Sequence, residues 1–67
     1  GKFSISNARN EEIEITIYNS VGKKVYKTLS ESNKKDIDLT EENNGIYFCV
    51  IIDENNSVIT KKLIIHD

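Results

Sequence analysis

Residues 45–52 read Gly-Ile-Tyr-Phe-Cys-Val-Ile-Ile, and after a polar turn residues 58–65 read Val-Ile-Thr-Lys-Lys-Leu-Ile-Ile. Together these stretches predict a β-hairpin, because Ile, Val, Tyr and Phe favour strands while Asn and Ser favour the turn between them. The apolar run over residues 46–52 suits a strand buried on both faces, and this run and residues 63–65 are both expected to be central. The hairpin therefore predicts a small β-domain that is closed by its own C-terminus.

The residues before this hairpin alternate between apolar and polar with a period of two. Phe3 and Ile5 share one face of the first predicted strand, residues 12–18 carry Ile at every second position, and residues 35–40 place Ile37 and Leu39 inward. This period is the mark of strands that bury one face and leave the other in solvent. These segments are therefore predicted to be one-sided strands, and the charged residues between the apolar ones a solvated face.

The connections between these strands carry turn residues. Asn-Ser-Val-Gly at residues 19–22 predicts a tight hairpin into a strand over residues 23–29, since Gly22 can adopt the positive φ that such a turn needs. Residues 7–11 form a polar connection, residues 31–33 turn the chain before the fourth strand, and residues 40–45 form the longest loop, with room for one short 3₁₀ or helical turn. About six to seven short antiparallel strands at this spacing are typical of an all-β sandwich.

The size and composition of the chain limit what it can be. Its 67 residues make one domain, whose core contributes about 3–5 kcal/mol of net stability at this length. The net charge of −2 is spread along the chain, so nucleic acid is not an expected partner. No apolar run reaches the roughly 18 residues of a membrane helix, so no membrane insertion is expected. The start at Gly1, without Met, predicts that residues 1–67 are a fragment of a longer protein.

Neither of the two residues best suited to catalysis has a convincing partner. His66 lies next to the last residue and is expected to be exposed and without function. Cys49 lies in the most apolar strand, where it is expected to be a small buried hydrophobe, and a single Cys cannot close a disulfide within the chain. No catalytic residue, cofactor or metal site is therefore predicted, and the chain is not expected to be an enzyme.

Acidic residues cluster at residues 11–14, 41–42 and 53–54. None of these clusters has the spacing of a dedicated calcium loop, so a solvated acidic edge is expected, with an adventitious calcium contact as the alternative. Residues 55–57 match the acceptor pattern for N-glycosylation, but a three-residue match carries little weight.

Two interpretations of Lys61 and Lys62 stay open on the residues alone. Neighbouring residues of a strand point to opposite faces, and lysines commonly protect a sheet edge against unwanted pairing. Alternatively, basic residues beside a strand end provide a recognition handle, and a partner can read such a strand through its backbone as well as its side chains.

Three motifs, in order, resemble those of one known family. Residues 15–25 read Ile-Thr-Ile-Tyr-Asn-Ser-Val-Gly-Lys-Lys-Val, residues 44–48 read Asn-Gly-Ile-Tyr-Phe, and residues 60–65 read Thr-Lys-Lys-Leu-Ile-Ile. They resemble the type A C-terminal sorting domains of the type IX secretion system of Bacteroidetes, over nearly the whole chain. Two features depart from that family: the Asn-Pro opening is missing, and Cys49 replaces a residue that is more often aliphatic or β-branched.

The resemblance implies an immunoglobulin-like sandwich that acts as a non-catalytic secretion signal. Its partners would be an N-terminal cargo domain and the outer-membrane translocon, shuttle protein and sortase of the system, with the cargo passing through the periplasm to the cell surface or medium and being cleaved upstream of the domain. The resemblance assigns recognition by the machinery to the terminal residues, and the role of fold determinants to three positions. The recognition residues are Lys61, Lys62, Leu63, Ile64 and Ile65, and the fold determinants are Gly22, Gly45 and Tyr47.

Two further possibilities concern binding. A free-standing adhesion or carbohydrate-binding sandwich is the alternative function, although five aromatic residues are barely enough for both a core and a binding platform. An exposed strand edge would also allow an edge-strand dimer.

Overall fold

The computed structural model describes residues 2–6, 11–31 and 34–66 of the chain. Within these ranges the chain forms strands and turns and has no helix. The predicted connection over residues 7–11 and the turn before the fourth strand fall largely outside the described residues. The six strands are β1 (Lys2–Ser6), β2 (Ile13–Asn19), β3 (Lys24–Ser30), β4 (Lys34–Asp38), β5 (Gly45–Ile52) and β6 (Val58–Ile65).

The strands form two antiparallel sheets. One contains β1 and β4, and the other has the order β3-β2-β5-β6. Ile15 and Ile17 of β2 and Ile37 of β4 are at most 1% exposed, so both sheets contribute to one core. Phe3 and Ile5 of β1 are half-buried and pack against the same core. The predicted small β-sandwich is confirmed, because each sheet buries its apolar face against the other.

The structure corrects the prediction that residues 46–52 are buried on both faces. β5 is central, between β2 and β6, but Ile46 and Phe48 on its outer face are 42% and 37% exposed. Tyr47 and Cys49 on its inner face are 5% and 1% exposed. Two layers cover only one face of each sheet, so even a central strand keeps an outer face.

The structure also corrects the prediction that the terminal strand is central, because β6 forms an edge of the four-stranded sheet. The run Leu63 to Ile65 points alternately inward and outward. Ile65 is 4% exposed and Leu63 is half-buried, whereas Ile64 is 74% exposed. An uninterrupted apolar run in an edge strand gives the same sequence signal as a buried central strand. For this reason the apolar run alone predicted the wrong position for β6 in the sheet.

One smaller prediction also differs from the structure. Thr16, on the outer face of β2, is only 6% exposed because the neighbouring strands place Lys27 and Val50 on either side of it. β2 is therefore not strictly one-sided. The loop over residues 40–45 begins with a single turn, in which the Glu42 N–H donates to the Leu39 carbonyl at 2.9 Å. This bond joins residues three apart, as in the short 3₁₀ turn that the sequence allowed.

The two described hairpins, over residues 19–23 and 53–57, use the same turn. In both turns the carbonyl of the first residue accepts a hydrogen bond of 3.0 Å from the N–H of the fourth. The N–H of the first residue donates to the carbonyl of the fifth, at 2.9 Å in the first hairpin and 3.1 Å in the second. The fourth residue has positive φ, +86° at Gly22 and +61° at Asn56. The side chains of Asn19 and Asp53 also accept hydrogen bonds from the backbone N–H groups of the third and fifth residues. This is a type I turn with a bulge residue in the left-handed region.

Substitutions at Gly22 test this turn. We expect Gly22→Ala to lower the free energy of unfolding by about 1 kcal/mol, because a Cβ disfavours the left-handed conformation. A Cβ there would meet no atom within 4 Å, so the cost arises in the backbone alone. Gly22→Asn should cost less, since Asn56 adopts this conformation in the other turn. Denaturant unfolding measures the difference, with Val21→Ala as the control because Val21 is 85% exposed. Equal midpoints for Gly22→Ala and the control would contradict the role of the positive φ.

Candidate recognition site

The predicted recognition residues lie on β6, which pairs with β5 along one side only. The pairing is continuous, from Gly45 opposite Ile65 to Ile52 opposite Val58, without a register shift. The other side of this eight-residue strand is therefore unpaired in the described part of the chain. Such an edge carries unpaired N–H and C=O groups that can accept another strand.

The hairpin turn shows which backbone groups face this edge. The Asp53 N–H donates to the Ser57 carbonyl at 3.1 Å, so residues 53 and 57 form a hydrogen-bonded pair. Hydrogen-bonded and non-hydrogen-bonded pairs alternate along an antiparallel ladder. Residues 59, 61, 63 and 65 therefore bond to β5, and the backbone groups of Val58, Thr60, Lys62 and Ile64 point outward from the edge.

The side chains of β6 divide between the two faces of the sheet. Lys61 lies opposite Cys49 on the inner face, and Lys62 lies opposite Phe48 on the outer face. This placement confirms the prediction that the two lysines point to opposite faces. Both lysines are exposed, and neither forms an ion pair with any residue in the described ranges. The charges are therefore available at the edge on both sides of the sheet.

The remaining predicted recognition residues have different environments. Ile65 is buried in the core and Leu63 packs against it, whereas Ile64 is the most exposed residue of the three. The geometry thus separates the segment into core anchors, Leu63 and Ile65, and accessible side chains, Lys61, Lys62 and Ile64. The recognition role assigned to them stays a prediction.

The inner face of β6 is only partly covered. A groove of about 700 Å³ separates it from β1, and Phe3, Ile51 and Lys61 are among the residues that line it. Ile59 also lines this groove and is 54% exposed, although it lies on the inner face. The two-stranded sheet is too narrow to cover all four strands below it. Both faces of β6 are therefore accessible over residues 58–62.

Sequence reasoning missed Val58 and Ile59 as part of the accessible segment. They are 59% and 54% exposed, although an apolar pair at the start of a strand is normally read as core. The neighbouring Thr-Lys-Lys at residues 60–62 could have indicated this exposure, because three polar residues in a row are unusual in a strand with a buried face.

Two of the predicted fold determinants, Gly45 and Tyr47, lie at the start of β5. Gly45 begins β5 with φ of +155°, a value that favours glycine. The Tyr47 hydroxyl donates a hydrogen bond of 2.7 Å to the Asn43 carbonyl, and the ring is buried. This bond connects the loop before β5 to the strand itself. The role of Gly22, Gly45 and Tyr47 as fold determinants stays a prediction.

The other candidate groups do not form a site. Cys49 is 1% exposed, which confirms the prediction of a buried side chain. Burial raises the pKa of its thiol, and the positive charge of Lys61 opposes this only in part. A buried thiol with a raised pKa is protonated near neutral pH and a poor nucleophile. His66 is exposed, as predicted.

Several acidic side chains accept hydrogen bonds within the described ranges. Asp53 holds the second hairpin turn, and the Glu54 carboxylate accepts a hydrogen bond of 3.0 Å from the Glu12 N–H. Asp36 accepts a hydrogen bond of 2.7 Å from the Ser4 hydroxyl, and Asp38 is bonded to Thr40. No group of three or more metal-ligating side chains comes together among the residues that the structure describes.

The aromatic residues do not form a binding platform in the described ranges. Phe48 is the most exposed aromatic side chain, at 37%. The half-buried Tyr18 lies opposite it on the outer face of the sheet. The side chains of Phe3, Tyr26 and Tyr47 contribute to the core. Residues 2–6, 11–31 and 34–66 also contain no helix that could cross a membrane.

Comparison with known proteins gives one match. The model of a family described as the secretion system C-terminal sorting domain matches residues 1–66. No curated protein and no solved structure has significant similarity to the chain.

Proposed function

The chain belongs to the secretion system C-terminal sorting domain family, and we propose that it directs an N-terminal cargo domain across the outer membrane by presenting β6 to the secretion machinery. A domain of this family is a sorting signal for the type IX system, and such signals are in general non-catalytic. Family membership also implies interaction with the secretion machinery and export to the cell surface or beyond. The resemblance assigns recognition to the terminal residues, and these residues lie on β6.

The position of β6 carries the proposal. Lys61 and Lys62 lie on an edge strand, on opposite faces, and form no ion pair with a described residue. Lysines whose charges have no partner among the described residues are available to a partner outside the domain. In this proposal Lys61, Lys62 and Ile64 contact the machinery, while Leu63 and Ile65 anchor the strand in the core.

The finer steps of the proposed route follow the resemblance. The cargo crosses the inner membrane, the domain is recognised in the periplasm by the shuttle and translocon, and a sortase then cleaves upstream of the domain. In this proposal the small core, the turn at Gly22, the start of β5 at Gly45 and the hydrogen bond of the Tyr47 hydroxyl hold β6 in register for that recognition.

A reporter fusion tests the role of β6. Residues 1–67 are fused to the C-terminus of a periplasmic reporter in a strain that carries a type IX system, and the reporter is measured at the surface and in the medium. We expect export of the fusion and loss of export when residues 61–67 are deleted. Because this deletion also removes Leu63 and Ile65 from the core, the double variant Lys61→Glu/Lys62→Glu is measured beside it.

The double variant should keep the fold, because both side chains are exposed, and should lose most of its export. The matched control is Lys23→Glu/Lys24→Glu, which makes the same charge change at exposed positions of the first hairpin. Export of the β6 variant at the level of this control would refute the assigned role of the terminal lysines.

A further inference from the structure

The backbone and side chains of the free β6 edge indicate which kind of partner segment would fit it. We propose that β6 is recognised by strand addition, in which an extended segment of the partner, with two adjacent acidic residues at its centre, pairs antiparallel with β6. This inference rests on the proposed function, because it specifies the kind of partner segment that the recognition strand takes.

The backbone of β6 supplies the first half of the argument. The N–H and C=O groups of Val58, Thr60, Lys62 and Ile64 point away from β5, as the pairing of Asp53 with Ser57 requires. Four outward residues at every second position form a complete hydrogen-bonding edge for an added strand. Strand addition satisfies these groups without any change in the domain.

The side chains supply the second half. In an antiparallel pair, residues directly opposite each other point to the same face. A partner residue opposite Lys61 lies on the inner face, and its neighbour opposite Lys62 lies on the outer face. Acidic residues at both positions would pair with the two lysines, while apolar residues on either side would cover Ile59, Leu63 and Ile64. The complement is therefore an apolar strand interrupted by an acidic pair.

The same register disfavours a second copy of the chain as the occupant. In an added antiparallel pair, the outward residues of one copy lie opposite outward residues of the other. The two most nearly complete registers of β6 with a second copy therefore place Lys61 opposite Lys61 or Lys62 opposite Lys62. Like charges directly opposite each other destabilise a strand pair. The lysines thus act against the edge-strand dimer that the sequence allows and select an acidic partner instead.

A designed peptide tests the inference on the full chain. The peptide Val-Ile-Glu-Glu-Thr-Ile-Val places Glu opposite both lysines, and the control peptide Val-Ile-Lys-Lys-Thr-Ile-Val changes only that pair. We expect the acidic peptide to bind on the order of tenfold more tightly at low salt, because two favourable cross-strand charge pairs replace two unfavourable ones. The difference should shrink as salt screens the charges.

Amide hydrogen exchange shows whether binding occurs through the backbone edge. The acidic peptide should slow the exchange of the amides of Thr60, Lys62 and Ile64, whereas those of Lys61 and Leu63 are already bonded to β5 and should change little. Equal affinity for the two peptides, no binding of the acidic peptide, or protection elsewhere than at these outward amides would each overturn the inference.

The peptide and the reporter experiments fail independently. If the acidic peptide adds to β6 but Lys61→Glu/Lys62→Glu is still exported, strand addition stands and the proposed role of the lysines in export is wrong. If that variant loses export but the peptide does not add to the edge, the export role stands and strand addition is wrong.

Discussion

Replacing Ile15 with Ala should leave a large fraction of the molecules unfolded at room temperature. Ile15 is fully buried in β2, which lies between β3 and β5. Removing a buried Ile side chain to Cβ typically costs about 2–5 kcal/mol. A domain of 67 residues with no disulfide has only about 3–5 kcal/mol of net stability to lose. Denaturant titration followed by far-ultraviolet circular dichroism measures the change.

The matched control for this variant is Ile64→Ala. It removes the same atoms from a strand in the same sheet, but Ile64 is 74% exposed, so its change should stay within about 0.5 kcal/mol. A similar loss of stability in both variants would mean that the core does not lie between the two sheets as the structure places it.

Gly45→Val should destabilise the domain by about 2–3 kcal/mol. Gly45 has φ of +155°, a conformation in which a β-branched residue is strained. Its ideal Cβ has no atom within 4 Å, so crowding is not the cause, and the cost comes from the backbone. The residue pairs with Ile65 at the end of β6, so relaxing the strain by moving the backbone would disturb that pairing too. Thermal unfolding measures the effect.

Two companion variants locate this strain. Gly45→Ala should also destabilise the domain, although by less, because it adds a Cβ without branching. Ile46→Val introduces the same side chain at the next position of β5, where the residue is 42% exposed and has no positive φ, and should be nearly neutral. If Gly45→Val unfolds at the temperature of Ile46→Val, the positive φ is not required for the start of β5.

Local features of the fold could be predicted because their causes are local. The turn at residues 19–22 follows from Asn19 and Gly22, and the strands before it follow from alternation over a few residues. The burial of Cys49 was likewise expected from the apolar character of the strand around it. Each of these predictions depends on neighbours close in sequence.

The edge position of β6 could not be predicted, because it does not depend on neighbours close in sequence. Leu63, Ile64 and Ile65 form the same apolar run whether one face or both are buried, so periodicity does not distinguish the two cases. The exposure of Val58 and Ile59 depends on the width of the β1–β4 sheet, and that pairing joins residues far apart in the chain, such as Phe3 and Ile37.

By itself, the sequence determined the all-β class, the approximate positions of the six strands, the two hairpin turns and the family. Only the tertiary structure decided that β6 is an edge and that β5 keeps an exposed outer face, which backbone groups of β6 face solvent, and that Lys61 and Lys62 have no ion-pair partner among the described residues. The physical reason is that turns and alternation are set by adjacent residues, whereas strand order and exposure are set by contacts between segments far apart in the chain.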